Sequence, residues 1–206
     1  MCGCKGEMIK QYYANYERGH SDLRVNLRTY EIEYLNGSPK DWDETMIDTG
    51  DNTHTDGRLK RVGKYLDSGT FCMTYGDGVC DVDVSEIVKF HKSHGKLATV
   101  MGVPSPGRFG ILEIDGSNKV TAFQEKPSNE VGYINGGFLV LEPGVLDYIE
   151  GDATTWERGP LENLPRDGEL MTYLHQGFWK PMDTLRDKII FAEIIETGNA
   201  PWLRFE

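Results

Sequence analysis

Residues 71–78 read Phe71-Cys72-Met73-Thr74-Tyr75-Gly76-Asp77-Gly78, an apolar run that stops on an acid held between two glycines. The run predicts a buried strand over residues 70–75. Open α/β sheets bind ligands beyond the carboxyl ends of their strands, where an acid can hold a cation and glycine lets a substrate approach the backbone. Asp and Gly also favour plain β-turns, so on its own the segment supports either reading.

Working outward, residues 57–66 predict a basic helix before this strand, and residues 84–94 an amphipathic helix after it, closed by Gly95. Residues 97–103 predict the next strand. This alternation implies βαβ units and a largely parallel sheet. Toward the N-terminus, Met8, Ile9, Tyr12, Tyr13 and Tyr16 fall at helical spacing, and residues 25–35 alternate like a strand. Past Pro104 come short strand-like runs over 109–114, 120–125 and 134–141, then helical signals at 144–149 and 185–196. Trp42, Trp156 and Trp202 are expected in packing roles.

The 206 residues are 38% hydrophobic, enough for the core of one domain spanning 1–206. A net charge of -11 leaves no broad basic face, which excludes duplex nucleic acid and anionic membranes as partners. No apolar run approaches the roughly 20 residues needed to cross a bilayer. Cys2, Cys4, Cys72 and Cys80 lack zinc-like spacing and read as reduced thiols of a cytoplasmic protein.

Several further segments carry chemistry. Arg58, Lys60 and Arg61 crowd the start of a helix, where cations oppose the macrodipole. Arg58 suits a forked phosphate contact, while Lys60 and Arg61 read as a solvated face. Glu125-Lys126 before Pro127 suits a sugar phosphate or a surface ion pair. Asn135-Gly136-Gly137 interrupts a good strand and calls for a bulge or a close ligand. Asp183 precedes the last long helix, where it can serve chemistry or cap the helix. Asp81 and Asp83 do not form a calcium loop, because Glu86 stands where the sharp-turn glycine belongs.

The order of these segments resembles the sugar-1-phosphate nucleotidyltransferases. The stretches DTGDNTHTDGRLKRV, TYGDGVCDVD, PSPGRFG, INGGF, DATTWE and FWKPMDTLRDK are similar, within that superfamily, to the glucose-1-phosphate cytidylyltransferase family. The resemblance implies a Rossmann-like three-layer α/β fold with a mostly parallel mixed sheet and a β-rich sugar-binding region over about 104–142. It implies transfer of a cytidylyl group from CTP to glucose 1-phosphate, feeding deoxysugar and O-antigen synthesis, in a homo-oligomer.

Residue by residue, the resemblance makes Asp77 and Asp183 ligands of Mg2+, with Lys180 near the phosphates. Thr53, Arg58 and Gly76 fall on the nucleotide, and Gly110, Glu125, Lys126, Asn135 and Gly136 on the sugar phosphate. Family members begin with a strand, a GGxGTR loop and a lysine-bearing KP segment, and none of these occurs here. Cys2-Gly3-Cys4-Lys5-Gly6 stands where the family has Cys-Gly-Tyr-Lys-Gly. The chain is therefore expected to be N-terminally truncated, without the first strand-loop-helix-strand, and inactive alone. The alternatives are a noncatalytic sugar-phosphate-binding remnant and an enzyme using UTP or dTTP.

Overall fold

A computed structural model of the chain describes residues 1–37, 40–104, 111–124, 132–153 and 155–203. Gly110, Glu125 and Lys126 lie outside the described residues.

The chain opens on α1 (Gly6–Ala14) and α2 (Tyr16–His20), as the spacing predicts. The strand predicted over 25–35 is instead a hairpin of two short strands, β1 (Leu23–Val25) and β2 (Ile32–Tyr34). Asn26 Oδ1 accepts from the Arg28 and Thr29 N–H groups, and Tyr30 takes a φ of 59°, so the chain reverses inside the predicted strand.

α3 (Thr55–Val62) leads to β3 (Phe71–Thr74), β4 (Gly78–Cys80), α4 (Val84–His94) and β5 (Ala98–Pro104). The hairpin β6 (Ile111–Ile114) and β7 (Val120–Gln124) precedes β8 (Tyr133–Leu141). Next come α5 (Pro160–Arg166), β9 (Leu170–Leu174), β10 (Trp179–Pro181) and α6 (Leu185–Glu196).

Alternation puts the two sides of each central strand in different cores. Val100, Leu139 and Leu141 pack with Leu59 of α3, Leu161 and Leu164 of α5, and the fully buried Trp156. Met101, Val103 and Val140 face the other way, onto Ile87 of α4 and Val82. Helices on both faces of one sheet make the three-layer α/β arrangement that was expected.

Among the described strands, the largely parallel sheet that was also expected does not form. β8 pairs antiparallel with β3 on one edge and with β5 on the other, and β6 joins it antiparallel through Leu112 and Tyr133. Among the described strands of this sheet, β5 and β9 form the parallel pair. The βαβ logic holds for direction: β3 and β5, joined through α4, run the same way. They are not neighbours, because β8 lies between them, and helix spacing predicts direction but not adjacency.

β8 carries the expected irregularity. Val100 pairs with Leu139 and Gly102 with Asn135, so Gly136, Gly137 and Phe138 together oppose Met101 alone. The excess of two residues is one full strand period, which keeps Ile134 and Val140 on the same face. Gly137 has a φ of 79°, and a Cβ on Gly136 would stand 2.7 Å from Met101 Cε and 3.1 Å from the Met101 carbonyl oxygen. Gly136→Ala is expected to destabilise the fold by about 1–3 kcal/mol through overpacking. Urea unfolding checks this, and an unchanged midpoint would contradict the packing described.

Candidate functional site

The site is built where β4 meets β10. The strands pair antiparallel from Gly78 opposite Pro181 to Cys80 opposite Trp179. One step beyond the ladder, the Met182 N–H donates to the Asp77 carbonyl at 2.8 Å. Asp77 therefore lies opposite Met182, with Asp183 next along the chain, although the two acids are far apart in sequence. Both residues are exposed, and among the described residues neither carboxylate takes a hydrogen bond or ion pair.

Asp183 does not cap α6. Thr184 does, its Oγ1 accepting from the Asp187 N–H while Asp187 Oδ2 accepts from the Thr184 N–H, a reciprocal box. The Asp183 carboxylate is thus left for other work. Asp81 and Asp83 have structural roles: Asp83 caps α4 through the Ser85 N–H, and Asp81 lies 2.9 Å from His175 Nε2. Lys180 is on β10 beside the pair of acids, with its ammonium 2.7 Å from Asp187 Oδ1. That contact, with Thr184, draws the Asp187 carboxyl down to about 2. Gly76 is exposed, and a Cβ there would meet nothing within 4 Å.

The cations of α3 all find partners within the fold. Arg58 Nη1 donates to Thr49 Oγ1 and to the Gly50 carbonyl, both at 2.8 Å, and Gly3 packs directly on the guanidinium. The group proposed to fork a phosphate thus braces the loop at 49–51. Thr53 is buried just before the helix. Lys60 and Arg61 are exposed, as a solvated face requires, yet both also find partners. Lys60 Nζ donates to the Ile149 carbonyl. Arg61 grips both Asp152 oxygens, at 3.0 and 2.6 Å, and donates to the Thr49 carbonyl at 2.9 Å. Each cation satisfies a carbonyl that the tertiary fold brings to it, which no local pattern reveals.

A second polar cluster lies at the end of β3. The Tyr75 O–H donates to Glu157 Oε1 at 2.9 Å, and Asn135 Nδ2 donates to the Tyr75 hydroxyl oxygen at 3.4 Å. Asn135 Oδ1 accepts from the Gly137 N–H at 2.8 Å. Asp56, on α3, is fully buried, and both its carboxylate oxygens lack partners among the described residues. Burial, and secondarily the charge of Glu157, lift its carboxyl to about 7. The sequence reading missed Tyr75, Glu157 and Asp56 as site residues. Tyr75 and Glu157 nevertheless stand inside the quoted stretches at 74–83 and 152–157.

The β4–β10 junction thus brings Asp77 and Asp183 onto adjoining chain segments, with Gly76 and Gly78 beside them. The chain belongs to the nucleotidyl transferase family, whose model matches residues 58–165. It is 48% identical over 206 residues to the glucose-1-phosphate cytidylyltransferase of Salmonella typhi, covering 100% of this chain and 80% of that protein. It is 38% identical over 203 residues to a probable glucose-1-phosphate cytidylyltransferase of Bacillus subtilis, covering 98% and 79%. The fold is similar to that of HddC from Yersinia pseudotuberculosis, solved with GMP-PN, with a TM-score of 0.60, 23% identity, and 72% of this chain and 65% of that one covered. A putative glucose-1-phosphate thymidylyltransferase from Bacillus anthracis gives a TM-score of 0.57 at 20% identity, covering 77% and 66%.

Asp56 makes stability depend on pH. The folded chain keeps this proton up to about pH 7, whereas the unfolded chain releases it near 3.8. The contribution is therefore complete below about pH 4 and is lost as the pH rises through about 7. Urea midpoints of wild type and Asp56→Asn, taken from pH 4.5 to 8, are expected to diverge in favour of the variant as pH rises. Parallel profiles would contradict this assignment.

Proposed function

We propose that the reaction of this chain's site is transfer of a cytidylyl group from CTP to glucose 1-phosphate, giving CDP-glucose and pyrophosphate; turnover by the 206-residue chain would refute the expectation that it is inactive alone. The 48% identity to the Salmonella cytidylyltransferase across the whole chain supports this, as does the meeting of Asp77 and Asp183 at the β4–β10 junction. That junction carries the reading: two unpaired, exposed carboxylates on adjoining backbone are the donor set magnesium takes when substrate phosphates complete its shell. Asp77 and Asp183 would hold Mg2+, which when bound neutralises phosphate charge.

In this reading an oxygen of the sugar phosphate attacks the α-phosphorus of CTP and pyrophosphate leaves, so no protein nucleophile is needed. Thr53, Arg58 and Gly76 serve the nucleotide side. Arg58 acts mainly by bracing residues 49–51, given its bonds to Thr49 and Gly50. Gly76 leaves room for the phosphates. Gly110, Glu125, Lys126, Asn135 and Gly136 serve glucose 1-phosphate, and Lys180, held by Asp187, lends positive charge beside the acids.

Among the described residues no helix is long and apolar enough to cross a membrane, and we assign the activity to the cytoplasm. Met8, Tyr12, Leu27, Tyr30, Leu35 and Trp42 are all exposed in the N-terminal segment, which supports association with further copies of the chain. Sedimentation of the purified protein is expected to show an oligomer, and a monomer at every concentration would remove this part of the proposal.

Pyrophosphate release with glucose 1-phosphate and each of CTP, UTP and dTTP tests the reaction, with CTP expected to be preferred. Asp77→Asn and Asp183→Asn are each expected to lower kcat/KM by about a hundredfold or more, the order seen when one group that stabilises transition-state charge is removed. Binding of glucose 1-phosphate without turnover of any nucleotide would point instead to a noncatalytic module.

A further inference from the structure

Asn135 is gripped at both ends of its side-chain amide. The Gly137 N–H holds Oδ1 at 2.8 Å, and Nδ2 lies 3.4 Å from the Tyr75 hydroxyl. The Tyr75 O–H donates to Glu157 Oε1, 2.9 Å away. The phenol oxygen is then an acceptor, and Asn135 must present its N–H to it. Turning the amide over would set Nδ2 against the Gly137 N–H and Oδ1 against an oxygen with no proton to give. Glu157, by taking the phenol proton, thus decides through Tyr75 which way Asn135 faces.

The supports of Tyr75 are equally specific. Its N–H donates to the Gly137 carbonyl at 2.9 Å, and a Cβ on Gly137 would come within 3.2 Å of its ring. Burial first, and then the charge of Glu157, raises the Asp56 carboxyl to about 7.

We propose that Tyr75 and Glu157 are positioning residues of the sugar-phosphate site. They hold the Asn135 amide in one orientation, with one Nδ2–H and one Oδ1 lone pair left for a hydroxyl of the sugar phosphate. This rests on the reading of Asn135 as a sugar-phosphate contact. A side chain oriented before binding loses less freedom when the ligand arrives, which favours affinity.

The test uses the full chain, 15N-labelled, with the side-chain amide pair of Asn135 identified by its disappearance in Asn135→Asp. Without ligand, Tyr75→Phe and Glu157→Gln are each expected to shift or broaden that pair while far-UV circular dichroism stays native. Calorimetry with glucose 1-phosphate is expected to show about tenfold weaker binding for each, of the order lost with one well-placed hydrogen bond. The double variant is expected to bind no more weakly than either single one. Asn135 resonances at their wild-type positions with affinities within twofold would overturn the proposal, as would additive losses in the double variant. Should one variant fail to fold, the other gives the same readings. If the wild-type chain binds no glucose 1-phosphate, the functional reading fails, while the ligand-free resonances still decide the positioning chain.

Discussion

Two consecutive peptide carbonyls in the middle of β8 hold the site together. The Trp179 indole N–H donates to the Gly136 carbonyl at 2.7 Å, and the Tyr75 N–H donates to the Gly137 carbonyl at 2.9 Å. In a regular central strand such carbonyls belong to the neighbouring ladders. The Gly137 bond extends the β3–β8 register one residue past Thr74 and Phe138, toward Asp77, while the Gly136 carbonyl leaves the ladder for the Trp179 indole of the segment that leads to Asp183. Those carboxylates thus take their places from a backbone conformation that needs glycine at 137, with its φ of 79°, and a residue without a side chain at 136. Phosphoryl chemistry is sensitive to displacements of about an ångström, so anchoring both acids to one bulge has direct chemical value.

Around that bulge, charge is used to tie segments together. Arg58, Lys60 and Arg61 leave α3 in different directions, yet all end on backbone carbonyls or on Asp152, joining residues 49–51, α3 and residues 149–152. Arg61 with Asp152 is half exposed, so the pair contributes at most about 1 kcal/mol. Its larger effect is geometric, because the loop it holds leads into Trp156 and Glu157. Trp156 is fully buried in the core, and Glu157 next to it takes the Tyr75 hydroxyl. Core packing on one side of this loop therefore fixes a polar contact on the other.

The price of this arrangement is Asp56. A carboxyl with no exposure and no partner among the described residues is costly when ionised, and its raised pKa records that cost as a retained proton. Asp56 stands beside Gly57, where a Cβ would come within 2.6 Å of the Asp152 backbone. The close approach of α3 to that loop leaves Asp56 no path to solvent. Helix packing and the acid's protonation state are thus one constraint.

Features that depend on neighbours in sequence were legible in the residues alone. The strand at Phe71–Thr74, the helix at Val84–His94, the irregularity at Gly136-Gly137 and the α/β class all follow from periodicity and glycine's backbone freedom. Asp77 and Asp183 were marked by their motifs, but β10, the strand that brings them together, is three residues long and carries no periodic signal. The antiparallel insertion of β8 between β3 and β5 was hidden for the same kind of reason, since spacing encodes direction and not neighbourhood. By itself the sequence determined which residues could form elements and which carried charge. Only the tertiary structure decided that Arg58 meets a loop, that Asp56 loses water and that Tyr75 reaches Glu157, because a long side chain's partner is set by whichever distant backbone the fold carries to it.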